Sequence, residues 1–268
     1  MTQYTATDIT RISVPTDTIA TTDQTNVYLV DADEPLLVDP AARHSELDAA
    51  IAGCQPEHIT ATHCHSDHIA GVTAYAFETN ATVWSSVGHE NRFAQSTGIY
   101  PARTFRDGDS VGPATAIETP GHASDHTAFE VDLGDGRTAI FTGDLVVDEG
   151  SVVVGGPDAD MADYLDSLRR IRERDPDVIY PGHGPVIDEP REALDRLIGH
   201  RKKREQAIVD AMAASAEEVD EIVDRVYDKD VSEVYELARQ TVIAHIRKLH
   251  SEREVRWDPE TEQATLVN

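Results

Sequence analysis

Along the first two thirds of the chain, apolar positions come in short runs broken by turn residues. Residues 25–31 (TNVYLVD) and 35–39 (PLLVD) predict two short strands around a turn at Pro35. Residues 45–53 suit a helix opened by Ser45 and closed by Gly53. HITAT at 58–62 reads as a strand that delivers His63 at its end, 68–77 as a helix and 82–86 as a strand. TAFEVDL at 127–133, the turn Gly134-Asp135-Gly136 and RTAIFT at 137–142 predict a hairpin. Residues 161–174 follow as a charged amphipathic helix and 178–183 as a strand. Strands alternating with helices imply a mixed sheet with helices packed on it. After Pro190 the period lengthens: 191–213, 216–227 and 232–251 predict three helices, and EVRWD and QATLV, joined around Pro259, a closing hairpin. Those are the parts of a winged helix. The pattern therefore divides the chain at 1–189 and 190–268.

Composition narrows the class. The chain has 268 residues, 40% of them hydrophobic, with no apolar run long enough to span a bilayer. Residues 1–10 are polar and hold no lysine or arginine, so a secretory leader is not expected and a cytoplasmic location is. Cys54 and Cys64, the only cysteines, do not make a disulfide framework and read as reduced thiols. Asp and Glu number 50 against 23 Lys and Arg, a net charge of −27, and only four of the cations are lysine. Self-repulsion on that scale is tolerable when salt screens it, and an acid-rich, lysine-poor chain resembles proteins of salt-in halophiles. The last 80 residues carry 13 of the 23 cations.

The strongest chemical signal is Thr62-His63-Cys64-His65-Ser66-Asp67-His68. Two histidines two apart on an extended stretch point the same way, with Cys64 opposite. Asp67 and His68 fall where the chain turns into a helix and can face a second ion beside the first. Imidazole suits zinc, and a carboxylate adds neutralising charge. Three later motifs, each at the end of a predicted strand, offer one more ligand apiece: His122 in TPGH, Asp144 in TGD and His183 in PGHG. A lone histidine is more often a surface or core residue than a ligand; here all three follow in order.

This set, HxHxDH followed by TPGH, TGD and PGHG, resembles the metallo-β-lactamase superfamily over about residues 10–188. The resemblance implies an α/β fold, an αββα sandwich with a dinuclear site at one edge, followed here by a small winged-helix-like domain. It implies His63, His65 and His122 on one divalent ion, Asp67, His68 and His183 on another, and Asp144 between them, with Zn2+ the expected metal. Two such ions share a hydroxide and stabilise the oxyanion formed when it attacks an ester, thioester or phosphodiester. Asp67 would orient that hydroxide and take part in proton transfer. His126, four residues after His122, is a candidate for orienting a ligand, beside the equally weighted reading of a buried structural histidine. Ala70 stands where the family often has Gly.

His68, where one lactamase subgroup has Arg, and Asp144 as the bridge lean away from β-lactamases towards thioesterases, lactonases, phosphodiesterases and nucleases. The segment from Leu197 to Glu205, with the helices and hairpin after it, is similar to the β-lactamase-like protein 2 branch rather than to the C-terminal domain of glyoxalase II. His200, Arg201 and Arg204 lie near one helical face and are candidates for binding an anionic substrate group, against the reading of a solvated basic patch. Arg239, Arg247 and Lys248 are candidate nucleic-acid contacts, interrupted by Glu233, Glu236 and Glu252. Three functions compete: a hydrolase of a small-molecule ester or thioester, a single-stranded RNA endoribonuclease, and a non-enzymatic winged-helix binding module. The overall charge disfavours polyanionic partners and makes DNA an unlikely one; no membrane contact is expected. The intact ligand set speaks against a vestigial metal domain.

Overall fold

A computed structural model describes residues 7–18, 22–227 and 231–267. One sheet runs in the order β1 (Asp8–Pro15), β2 (Gln24–Asp31), β3 (Leu36–Val38), β4 (His58–Thr60), β5 (Thr82–Ser86) and β6 (Arg103–Phe105). A second has β7 (Ser110–Val111) at one edge, then β8 (Ala114–Glu118), β9 (Thr127–Asp132), β10 (Thr138–Gly143) and β11 (Val178–Pro181). Both sheets are mixed: β3 to β6 run parallel to one another, as do β10 and β11, and the other pairs are antiparallel.

Period-two alternation then builds the layers. On β2, Tyr28 and Val30 face the second sheet, where Phe129, Val131 and Phe141 meet them, while Val27 and Leu29 turn the other way. That outer face is covered by α1 (Ser45–Gly53), α2 (Ser66–Ile69), α3 (Val72–Thr79) and α4 (Glu90–Thr97), which supply Leu47, Ile69, Tyr75 and Phe93. The far face of the second sheet, with Ile117, Ala128, Ile140 and Ile179, packs on α5 (Met161–Arg174) and on the start of α6 (Pro190–Ala213). Strands buried on both faces need near-continuous apolar sequence, which is why all six residues from Thr25 to Val30 are buried. Helix, sheet, sheet, helix is the order of layers the motif set implied.

The last segment is α6, α7 (Val219–Val226), α8 (Tyr235–Ser251) and the hairpin of β12 (Val255–Asp258) with β13 (Gln263–Leu266). These enclose a core of their own around Ile208, Ile222, Val242, Ile246 and Val255. Helix α6 belongs to both bodies: Ala193, Leu194 and Leu197 enter the core under the second sheet, and Ile208, Ala211 and Met212 enter the terminal one.

Differences from the sequence expectations have local causes. The helix expected at 68–77 is two helices, because Gly71 donates its N–H to Pro40 O at 2.8 Å and leaves the helical ladder there. The helix expected from 216 begins at Val219, since residues 217–218 pair with β13 through Ala264 N–H to Glu217 O. β1, β6, β7, β8 and α4 add to the elements the pattern predicts. Cys54 and Cys64 are free thiols. Among the described residues, no helix is long and apolar enough to cross a membrane.

Candidate metal centre

Four strand ends meet at one edge of the two sheets. β4 leads into His63 and His65, and α2 begins at Ser66, so its first turn carries Asp67 and His68. β8 is followed by the turn holding His122, β10 by Asp144 and β11 by His183. The turns are built on glycines that cannot be replaced freely. Gly121 has φ 130°, and a Cβ there would lie 2.2 Å from the backbone nitrogen of Tyr164. Gly143, at φ 45°, leaves no room for a Cβ against Thr62 Oγ1, 2.4 Å away.

Strand β2 locks the last loop in place. Asn26 donates from its side chain to Pro181 O at 2.9 Å and Gly184 O at 2.8 Å, and Tyr28 Oη donates to Pro181 O at 2.6 Å. His183 Nδ1 then donates to Gln24 O at 2.7 Å, which turns Nε2 inward.

All seven residues named from sequence are brought together. His65 Nδ1 lies 2.9 Å from His63 Nε2 and 3.0 Å from His122 Nε2. Donor atoms of His63, His65 and His122 form one group within 4.8 Å of one another, and those of Asp67, His68 and His183 another. Asp144 stands between the groups. Its Oδ1 is 3.3 Å from His68 Nε2 and 3.2 Å from His183 Nε2, while Oδ2 is 3.5 Å from His122 Nε2. Outward-facing nitrogens are committed: His68 Nδ1 bonds Asp39 Oδ2 at 3.0 Å, His122 Nδ1 bonds Val153 O at 2.8 Å and His63 Nδ1 is 3.1 Å from Thr62 Oγ1.

Inward-facing atoms are different. His68 Nε2, His183 Nε2 and Asp144 Oδ1 are buried and, although the two nitrogens lie within ion-pair distance of the oxygen, none of the three is in hydrogen-bonding geometry. Unsatisfied buried polar atoms are costly, and three facing one point fit a cation that takes imidazole and carboxylate donors. The electrostatics agree. Burial and the neighbouring imidazoles push His63 and His65 below the usual imidazole range. Burial opposes a charge on His68 too, yet the carboxylates of Asp144 and Asp39 outweigh it and hold His68 well above that range. Asp144 is buried and still held well below the ordinary carboxylate range by His68, His183 and His122. The pocket stabilises positive charge at its centre.

Beside His63, His126 is 1% exposed, with ring centroids 5.2 Å apart; it bonds Thr119 Oγ1 through Nδ1 and leaves Nε2 without a partner. Burial pushes its pKa down to about 3, so the ring is neutral. His200, Arg201 and Arg204 are not brought to the cluster. Arg201 is 2% exposed, donates to Val152 O and lies over the Tyr164 ring. Arg204 donates to Val226 O and stacks on Tyr227. His200 is half-buried and lines neither the cluster nor the cavity above it. The basic residues of α8 are also engaged within the chain: Arg239 with Asp220 and Glu262, Lys248 with Glu205 and Glu252, Arg247 with Gly156 O.

Two contributors escaped the sequence reading. Asp39, 1% exposed, accepts from Thr62 N–H at 2.6 Å and Thr62 Oγ1 at 2.9 Å as well as from His68. Its only signal was a charged residue ending an apolar strand. The second is the loop 147–158, which orients His122 and walls a cavity of about 1010 Å³ whose floor holds His65, Asp67, His122, Asp144 and His183.

Comparison with known proteins gives this geometry a family. Residues 20–183 match the family model described as the metallo-beta-lactamase superfamily. A Caenorhabditis elegans protein named beta-lactamase-like protein 2 homolog is 34% identical over 187 residues, 68% of this chain and 60% of its own length. An Aspergillus fumigatus protein named atrochrysone carboxyl ACP thioesterase is 30% identical over 199 residues, 70% of this chain and 59% of its own length. The chain thus spans about 60% of each of these relatives. The crystal structure of a metallo-beta-lactamase family protein from Thermus thermophilus superposes with a TM-score of 0.77 at 20% identity, over 97% of this chain and 98% of that one, a likeness of fold that includes the terminal helices. With residues 20–183 matched to its family model, this chain belongs to the metallo-beta-lactamase superfamily.

Proposed function

We propose that the chain is a dinuclear zinc hydrolase acting on a small-molecule thioester or carboxylic ester. One observation carries the reading: Asp144 directs its two oxygens at different histidines of a seven-residue set, Oδ1 at His68 and His183 and Oδ2 at His122. His63, His65 and His122 would hold one ion, and Asp67, His68 and His183 the other, with Asp144 shared. Ions held there supply a Lewis acid and lower the pKa of a bound water. The chain's own part is positioning. Asp39, Gln24 O and Val153 O fix which nitrogen each histidine turns inward. Asp67, on the cavity floor with Oδ2 3.6 Å from His183 Nε2, is the group placed to accept and return a proton during attack and leaving-group departure. His126 backs the His63 ring and keeps it in place.

The preference for thioester or ester over RNA draws support from the thioesterase relative and from the intrachain pairing of Arg239, Arg247 and Lys248, which leaves α8 without a free basic face. Residues 190–268 act in this reading as a unit packed on the catalytic one rather than as a nucleic-acid module.

The test is elemental analysis of wild type and Asp144→Ala, with hydrolysis of a thioester and a phosphodiester assayed on the same samples. Wild type should carry about two divalent ions per chain, zinc among them, and the variant fewer, with thioester turnover down by roughly 100-fold or more. One ion or none in wild type, or RNA cleavage that exceeds thioester turnover and is abolished by His63→Ala, would overturn the proposal.

A further inference from the structure

We infer that the substrate is an uncharged or cationic ester or thioester with an apolar acyl group, and that acyl chains carrying a remote carboxylate are disfavoured at the cavity mouth. This rests on the hydrolase reading of the site and adds to it the polarity of what enters. Above the ligands the cavity is faced by Val147, Val152, Val153, Pro157 and Pro185, and by Leu237 of α8. The charged side chains among these walls are Asp17, Asp148, Glu149 and Asp158; among the described residues, no lysine or arginine lines the cavity.

The guanidiniums close to the walls are turned onto backbone. Arg196 donates to the carbonyls of Val147, Asp148 and Gly150, Arg201 to that of Val152 and Arg11 to that of Gly184. Asp158 is neutralised by Arg92 at 2.6 Å, whereas Asp17, Asp148 and Glu149 form no ion pair among the described residues. Bound ions would add positive charge at the floor, where Asp67 and Asp144 offset part of it. The field therefore divides by depth: a negative charge developing at the reacting carbonyl is welcome, and one carried further along the acyl chain faces unpaired carboxylates beside apolar surface. A site of this kind discriminates by what it repels as well as by what it binds.

The experiment uses metal-loaded full-length protein with hexanoyl, adipyl and 6-aminohexanoyl thioesters of N-acetylcysteamine, at the lowest salt that keeps the protein folded and again at high salt. Calorimetry with the corresponding unreactive amides reads binding without turnover. At low salt kcat/KM for adipyl should fall roughly tenfold below hexanoyl, with 6-aminohexanoyl at or above hexanoyl, and salt should narrow the gap. Asp148→Asn/Glu149→Gln should narrow it as well, and Leu237→Ala should raise KM for hexanoyl. Adipyl turned over as well as hexanoyl, or a ratio untouched by the double variant, overturns the inference. Amides that bind in the expected order with no thioester hydrolysed would sink the hydrolase reading and leave the pocket's charge preference standing. Amides that bind equally would sink the preference even if every thioester is cleaved.

Discussion

Asp39 does for His68 what no residue in the ligand motif can do for itself. One carboxylate oxygen accepts the His68 Nδ1–H and the other accepts the Thr62 backbone N–H, so Nε2 is the nitrogen turned inward. Asp39 sits at φ 52°, a conformation asparagine adopts readily, so Asp39→Asn tests the charge without disturbing the turn. The variant should fold normally and bind metal roughly 10–100-fold more weakly in competition with a chelator. An unchanged affinity would mean that packing alone orients His68. The candidate ligands are legible because four of them crowd into six positions and the others sit in turn motifs at strand ends. Asp39 was not, since its partners lie 23 and 29 residues on and an aspartate after an apolar strand looks like any turn residue.

His200 makes a second prediction at this scale. Burial, with Arg201 and Arg204 nearby, holds its pKa down to about 4. Below the ordinary imidazole value of about 6.5 the unfolded chain gains a proton that the folded chain refuses, so this contribution is intact above about 6.5 and is lost as pH falls towards the folded value. His200→Gln removes the titrating group. Its unfolding free energy in urea should fall less steeply than wild type across that window, and parallel curves would exclude the effect.

At the scale of elements, periodicity served well where one face met one core, as in α1 and α5, whose limits match the expected spans. It failed where a contact distant in sequence cuts an element. Gly71 ends α2 against Pro40, and a Cβ there would lie 2.6 Å from Pro40 O. Gly71→Ala should therefore displace the Pro40 backbone next to Asp39. We expect a loss of about 1–3 kcal/mol in stability, together with weaker metal binding. A stability loss with metal affinity intact would show that the strain stays away from Asp39. Short strands such as β6 and β7 lie below what pattern alone can separate from loop, because each borrows its hydrogen bonds from a neighbouring strand. Conversely, the Arg201 and Arg204 assignment rested on helical facing alone, and α6 turns those side chains onto Val152, Tyr164 and Tyr227 instead.

For the whole molecule, a charge of −27 spread over 268 residues makes self-repulsion a general burden on the compact state, and salt relieves it. The Debye length shrinks from about 10 Å at 0.1 M to about 3 Å at 1 M. The thermal midpoint should rise steadily with potassium chloride over that range. A midpoint that is flat or falls with salt would remove the case for a salt-adapted protein.

Helix α8 joins two matters that are separate in most of the chain. Its Val242 and Ile246 are anchored in the terminal core, while Leu237, five and nine residues earlier, lines the cavity together with His65, Asp67, His122, Asp144 and His183. None of the seven candidate ligands is on that helix. Changes at Leu237 on α8 therefore alter the cavity wall without touching any of the seven candidate metal ligands. The terminal segment is in this sense an adjustable jaw over the candidate metal centre: under the hydrolase proposal, divergence in substrate preference among close descendants of this chain should accumulate there first.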